Sequence, residues 1–325
     1  MMRLRGVLLV GVGQIFPFHV EAIRNVLPDI EVFATDKKAG RRKAAERLGA
    51  SFVSGKKLDS VMGKIDVVID CTPAKERLDV GLPALMRSKS LILEKPPAET
   101  LSQFDLLFQQ AKDNKVLLYC SLHASFGREV IWLAEQMKKE GEHLHYGQLV
   151  EIRSFFSDPY VKDGFVVSPL GGSWFDSGIN ALSVIAKFVS GIEIVSANFF
   201  NRIPAAQGLL CRDSERKVHF TFTGGKGEIT TTWIFGEEMK HTLLKFRKNN
   251  KDTFVLLDHS TESVWVGLSE IRLKHLMDLR TDKPRLVNHY IGVYRDFLKN
   301  FEIGADNAPL GRRLTAFWET AGQSV

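Results

Sequence analysis

Leu91-Ile92-Leu93-Glu94-Lys95-Pro96-Pro97 sets three large apolar residues before an acid, a base and two prolines. The apolar triplet has the composition of the end of a buried strand. Two prolines cannot continue a ladder, so the strand stops there. Glu94 and Lys95 then stand at its carboxyl end, where open α/β sheets bind their ligands. The plainer reading is a solvated ion pair at a surface strand end, since connecting segments run over the surface and carry polar groups. The flanking segments decide between the two.

Upstream, residues 66–71 read as another strand, ended by Thr72-Pro73, and a helical segment over about 77–88 leads back to Leu91. At the start, 7–10 is a buried strand, followed by Gly11-Val12-Gly13-Gln14-Ile15-Phe16-Pro17-Phe18-His19 and a helix through Arg24. Pro17 suits the first turn of that helix, where its missing N–H costs little. The two glycines allow a tight turn and a close approach to a pyrophosphate, which the helix N-terminus then holds. A third glycine is absent, and Phe16 stands in its place. Residues 30–35 form a second strand ending at Asp36, a position from which a carboxylate can accept the adenosine ribose hydroxyls. Lys37, Lys38, Arg41 and Arg42 follow. They either take a 2′-phosphate or form the solvated start of a helix over 41–48. The balance favours NAD over NADP, with NADP tolerated.

Downstream, Thr100-Leu101-Ser102-Gln103 has the form of a capping box. Leu101, Phe104, Leu107, Phe108 and Ala111 then recur at helical spacing, and 116–120 is the last strand of this half. Alternating strands and helices of this length predict a doubly wound parallel sheet, with every strand's carboxyl end on one rim.

After a helix over 126–139 the texture changes. Residues 148–156, 192–200, 218–222, 227–235, 242–247 and 253–257 have the pattern of strands divided by turns such as Gly224-Gly225 and Asn249-Asn250. Consecutive strands with few helices predict a largely antiparallel open sheet. Such a sheet leaves one face for a partner, so a homodimer or homotetramer is expected. Residues 285–301 are helical in pattern. The expected division is a nucleotide-binding domain over 1–122 and a substrate-binding and oligomerisation α+β domain over 123–325, an α/β chain as a whole.

Within the second half, Gly171-Gly172-Ser173-Trp174-Phe175-Asp176-Ser177-Gly178-Ile179-Asn180 carries two polar residues four apart on an otherwise apolar helix. They share a face if the helix starts near Trp174. Either Asp176 caps the helix and Asn180 is a satisfied core amide, or the pair meets a substrate.

At 325 residues, 44% hydrophobic and 25% charged, the chain has room for two domains and a sizeable core. The net charge of +6 comes from scattered residues with no aromatic interleaving, which argues against nucleic acid. Cys71, Cys120 and Cys211 are far apart and odd in number, which fits neither a zinc site nor a disulfide framework. They are expected to be buried and reduced in a cytoplasmic protein. Met1-Met2-Arg3-Leu4-Arg5 precedes an apolar run too short for a membrane helix and without a cleavage site. No metal and no membrane are expected.

Together these residues resemble the glucose-fructose oxidoreductase/inositol dehydrogenase (Gfo/Idh/MocA) family over nearly the whole chain. The resemblance rests on Gly11-x-Gly13 with His19, Thr72-Pro73, Glu94-Lys95-Pro96 and the helix carrying Asp176 and Asn180. Two departures stand out. Asn180 and Arg77 occupy positions where the family commonly has histidine. The string from Phe175 to Ser183 is similar to aldose 1-dehydrogenases acting on D-galactose or L-arabinose. The resemblance implies a Rossmann domain that holds NAD or NADP through Gly11, Gly13, Gln14, Ile15, Asp36, Lys37, Cys71, Thr72, Pro73, Glu94 and Lys95. It also implies catalysis by Lys95 and Asp176, and a sugar contacted by Asn180, His123 and Trp233. Related enzymes on another polyol or carbonyl compound, and a non-catalytic cofactor-binding regulator, are the alternatives.

Overall fold

The computed structural model describes residues 4–138, 146–168, 170–209 and 211–323. Met1–Arg3 and Lys139, which enter the leader and helix readings above, lie outside the described residues. The chain divides into two compact units: Met1–His123 with Leu286–Ala316, and Ala124–Arg285 with Phe317–Val325.

The first unit runs β1 (Gly6–Val10), α1 (Phe16–Val26), β2 (Glu31–Thr35), α2 (Arg42–Arg47), β3 (Ser51–Phe52) and α3 (Asp59–Met62). It continues with β4 (Val67–Asp70), α4 (Arg77–Met86), β5 (Ser90–Leu93), α5 (Leu101–Asp113) and β6 (Leu118–Cys120). Its six strands pair in the order β3-β2-β1-β4-β5-β6, all parallel. A parallel sheet covered on both faces needs strands that are apolar throughout. Accordingly, every residue of β4, β5 and β6 is buried. Pro17 lies in the first turn of α1. The Thr100 hydroxyl caps α5 by accepting the Gln103 amide at 3.2 Å.

The second unit holds α6 (Arg128–Lys138), β7 (Gln148–Ser157), β8 (Val161–Lys162), β9 (Phe165–Val166), a π-helical turn Trp174–Gly178 and α7 (Ile179–Ile185). Then come β10 (Glu193–Phe200), β11 (Glu215–Phe222), β12 (Gly225–Thr232), β13 (Met239–Lys248), β14 (Lys251–Asp258), β15 (Ser263–Gly267) and β16 (Leu273–Asp278). Two helices close the described chain: α8 (Arg285–Ile303), which from Leu286 on belongs to the first unit, and α9 (Ala308–Gln323), of which the part from Phe317 belongs to the second. The sheet order is β10-β11-β12-β7-β13-β14-β15-β16. It is antiparallel throughout except where β7 lies parallel to β12. The expected α/β architecture, a parallel sheet followed by a largely antiparallel one, is therefore present.

Some boundaries differ from those read in the sequence. β11 begins at Glu215, three residues before the apolar run, because Arg216 is buried in an ion pair and so breaks the hydrophobic signal. β12 ends at Thr232, so Trp233 lies just past the strand. β15, β16 and α9 have no counterpart in the sequence reading. No residue of β16 is buried, and an edge strand of that kind carries no inward apolar alternation.

Candidate active site

In the first unit, the parallel order puts Gly11, Asp36, Cys71, Glu94 and Ser121 next after β1, β2, β4, β5 and β6 on one rim. Ligands of doubly wound sheets bind beyond such a rim, where the strand order reverses beside β1. Gly11 has φ +99°, and a Cβ on it would lie 3.1 Å from the Cys71 carbonyl, so only glycine fits this turn. Gly13 has no atom within 4 Å of where its Cβ would be. Its missing side chain thus leaves open space above the turn, as a closely held pyrophosphate requires. Gln14 lies in the bend before α1, and Ile15 is the N-cap residue with no side-chain bond to the helix. The first amides of α1 therefore have no side-chain cap and can meet an anion.

Asp36 is fastened to this turn. Its Oδ2 accepts the Val12 amide at 2.8 Å and its Oδ1 accepts the Lys38 amide at 2.7 Å. Lys37 reaches Glu76 at 2.9 Å. Thr72 donates from its amide and hydroxyl to Asp70 Oδ1, at 2.9 and 2.5 Å. Pro73 then leads into a short 3-10 turn before α4. Burial and the carboxylates of Glu94 and Asp70 push the Cys71 thiol well above its ordinary value, so it packs and does not react. These residues fit a dinucleotide: a glycine turn with room above it, uncapped helix amides and a fixed carboxylate at the end of β2.

Glu94 and Lys95 behave differently from each other. The Glu94 carboxylate turns into the unit. It accepts the Tyr290 hydroxyl at 2.9 Å, His19 Nε2 at 3.1 Å and the Lys95 amide at 3.0 Å. His19 Nδ1 meets the Tyr294 hydroxyl at 2.5 Å. Burial pushes the Glu94 carboxyl up. The His19 hydrogen bond and charge, the nearby His123 and the Tyr290 hydroxyl outweigh that and hold it well below the usual carboxylate range. A buried ionised acid thereby fixes the backbone of Lys95, whose own side chain is half-buried. The Lys95–Pro96 peptide is cis. His123 is buried, stacked on His289 at 5.8 Å and tilted against Tyr290 at 5.4 Å.

In the second unit, Asp176 lies in the π-helical turn and Asn180 in the first turn of α7, both buried. The turn is held from outside. Asp213 Oδ1 accepts the Ser173 hydroxyl at 2.7 Å and the Trp174 amide at 3.0 Å, and Arg216 pairs with Asp213 at 3.2 Å. Trp174 and Trp318 exchange indole-to-carbonyl bonds at 2.9 and 3.1 Å. A Cβ on Gly178 would stand 2.6 Å from the Trp174 ring, so glycine is what lets the indole lie against the helix. Trp233 is 0% exposed and meets the Tyr160 ring edge-on at 5.3 Å.

Sequence reasoning missed several participants. Asp158 accepts the hydroxyl of Ser177, the residue after Asp176, at 2.6 Å and pairs with Lys240 at 2.5 Å. Only the β7–β13 register, in which Met239 faces Ser157, brings Lys240 to Asp158. Burial first, then the charges of Asp176, Asp158 and Glu238, push the Tyr160 phenol far up, which makes it a lasting hydrogen-bond donor. Tyr290 and Tyr294 could be found only as members of a helical apolar stripe. Among the described residues, no cluster of His, Cys, Asp or Glu could hold a metal ion, and no helix is long and apolar enough to cross a membrane.

Residues 5–122 match the oxidoreductase family with NAD-binding Rossmann fold designated GFO_IDH_MocA. Over the whole chain, solved structures share the fold. UDP-N-acetylglucosamine 3-dehydrogenase GnnA from Acidithiobacillus ferrooxidans has TM-score 0.72 and 16% identity, covering 100% of this chain and 98% of that one. Levoglucosan dehydrogenase in complex with NADH and L-sorbose has TM-score 0.78 and 17% identity, covering 97% and 95%. An NAD binding oxidoreductase from Klebsiella pneumoniae has TM-score 0.78 and 18% identity, again covering 97% and 95%.

Proposed function

We propose that this chain belongs to the Gfo/Idh/MocA oxidoreductase family, whose NAD-binding model residues 5–122 match, and that it oxidises an aldose of the D-galactose or L-arabinose type at C1, giving the aldonolactone. The observation that carries the reading is Lys95, held by its own amide to a buried Glu94 at the carboxyl rim of the parallel sheet. When bound, the oxidised nicotinamide supplies a hydride acceptor and a local positive charge.

The chain's part is to place the sugar carbon and remove the hydroxyl proton. Lys95 binds the C1 hydroxyl. A lysine acts as a base near neutral pH where burial or neighbouring positive charge lowers its pKa. Asp176 accepts or relays the proton. Asn180, an amide with no basic site, orients a sugar hydroxyl. His123 and Trp233 are assigned to the sugar as well, although Trp233 itself is fully buried against the Tyr160 ring. Asn180 in place of a histidine favours an anomeric hydroxyl, which is more acidic than an ordinary alcohol and needs a weaker base. Asp36 favours NAD over NADP. A cytoplasmic homodimer or homotetramer formed through the eight-stranded sheet belongs to the same reading, supported by Val195, Phe199 and Phe200 exposed on its edge strand.

The test is reduction of NAD and NADP against a panel of aldoses and inositols. Turnover of D-galactose or L-arabinose with little of myo-inositol is expected. Turnover of myo-inositol alone would overturn the sugar assignment, and none at all in a protein that binds NADH would favour a regulator.

A further inference from the structure

Arg77 opens α4 and is 1% exposed. Its guanidinium is buried, and its partners lie up to 19 residues away in the chain. All of its hydrogen bonds go to the two strand ends beside it. Nη1 donates to the carbonyls of Asp70 at 3.0 Å and Thr72 at 2.6 Å, and pairs with Asp70 Oδ1 at 3.0 Å. Nη2 donates to the Glu94 carbonyl at 2.9 Å, and Nε reaches the Pro96 carbonyl at 3.4 Å.

The gripped carbonyls are not a random set. Glu94 and Pro96 flank Lys95 in sequence, and Asp70 and Thr72 flank Cys71. Buried carbonyls at strand ends need donors, and a single arginine fork here serves four. A lysine has three donors on one nitrogen and cannot span two strand ends in this way. The buried charge is balanced by Asp70, whose carboxyl burial pushes above its ordinary value against the pull of Arg77.

We infer that Arg77 is a positioning residue for Lys95: it clamps the carboxyl ends of β4 and β5 together so that the lysine leaves the rim in one fixed direction. The Glu94 carboxylate holds the Lys95 amide from the other side. Lys95 is thus fixed through its own N–H and through the carbonyls on both sides of it. The inference rests on the proposed role of Lys95, and its test separates the two.

The probe is acetic anhydride at low dose, with acetylation of Lys95 read by mass spectrometry against exposed Lys115 as internal reference, with and without NADH. In the wild type, NADH slowing Lys95 acetylation is the outcome expected if Lys95 faces the cofactor. The same rate with and without NADH would count against that role and leaves the clamp to be judged by the variant. In folded Arg77→Lys, acetylation of Lys95 relative to Lys115 without NADH should change by about threefold or more, with a shifted pH profile, because a freed side chain samples other surroundings. If Arg77→Lys does not fold, the double variant R77Q/D70N leaves no unpaired buried charge and carries the same expectation. An unchanged relative rate and pH profile in a folded variant would overturn the inference and leave Arg77 as packing alone.

Discussion

The carboxylate of Asp36 accepts the amide of Val12 at 2.8 Å, tying the end of β2 to the glycine turn after β1. A negative charge is therefore fixed beside the turn and cannot swing away from a 2′-phosphate. The opposing cation Lys37 is drawn to Glu76. Asp36→Ser should raise the ratio of kcat/KM for NADP to that for NAD by about tenfold or more, as removal of a like-charge contact implies. A wild type that already prefers NADP strongly would mean that the neighbouring lysines outweigh Asp36.

The two glycines of the turn should fail in different ways. A side chain at Gly13 meets no protein atom within 4 Å, so Gly13→Val should melt close to wild type yet bind NADH about tenfold more weakly or worse. Gly11 has φ +99° and a crowded Cβ position, so Gly11→Ala should lose about 1–2 kcal/mol of stability. Equal NADH affinity in folded Gly13→Val, measured by titration calorimetry, would mean that the turn serves only the fold.

Glu94 should make the first unit acid-sensitive. Its folded pKa lies far below its ordinary value of 4.5. The folded state therefore releases this proton more readily than the unfolded state. The stabilisation is fully present above the ordinary value and is lost as pH falls below it. Glu94→Gln should cost about 2 kcal/mol near neutrality, the scale of hydrogen bonds to a charged group. That gap should shrink as denaturation is repeated from about pH 5 down to pH 3. A gap independent of pH would show that Glu94 is not ionised in the folded protein.

The residues assigned to proton transfer and to binding should separate in steady-state kinetics. Lys95→Met and Asp176→Ala should each lower kcat by about 100-fold or more, the usual scale for lost acid–base assistance. Asn180→Ala should mainly raise KM. A kcat within a few-fold of wild type for either of the first two variants would remove that residue from the proton path.

The legible parts were those with local signals. Buried parallel strands show as unbroken apolar runs, and the glycine turn with its following proline shows where the first helix starts. The Lys95 position followed from two prolines after an apolar triplet. What stayed hidden depends on pairing across long stretches of chain. Arg77 looked like a substituted position, and only its bonds to Glu94 and Pro96, 17 and 19 residues away, reveal a clamp. The Asp158–Lys240 pair needs the register of β7 on β13. Tyr290 reaches Glu94 across 196 residues, so its place in an apolar stripe disguised its hydroxyl. The π-helical turn at Asp176 has no periodicity of its own to announce it.

The most direct measurement is isotope transfer from D-galactose deuterated at C1, with NAD and the wild-type protein, followed by mass spectrometry of the recovered cofactor. The account predicts deuterated NADH, formed at a rate slowed relative to unlabelled sugar, with galactonolactone as the other product. Unlabelled NADH formed from the same sugar would place the oxidation at another carbon and contradict the C1 assignment.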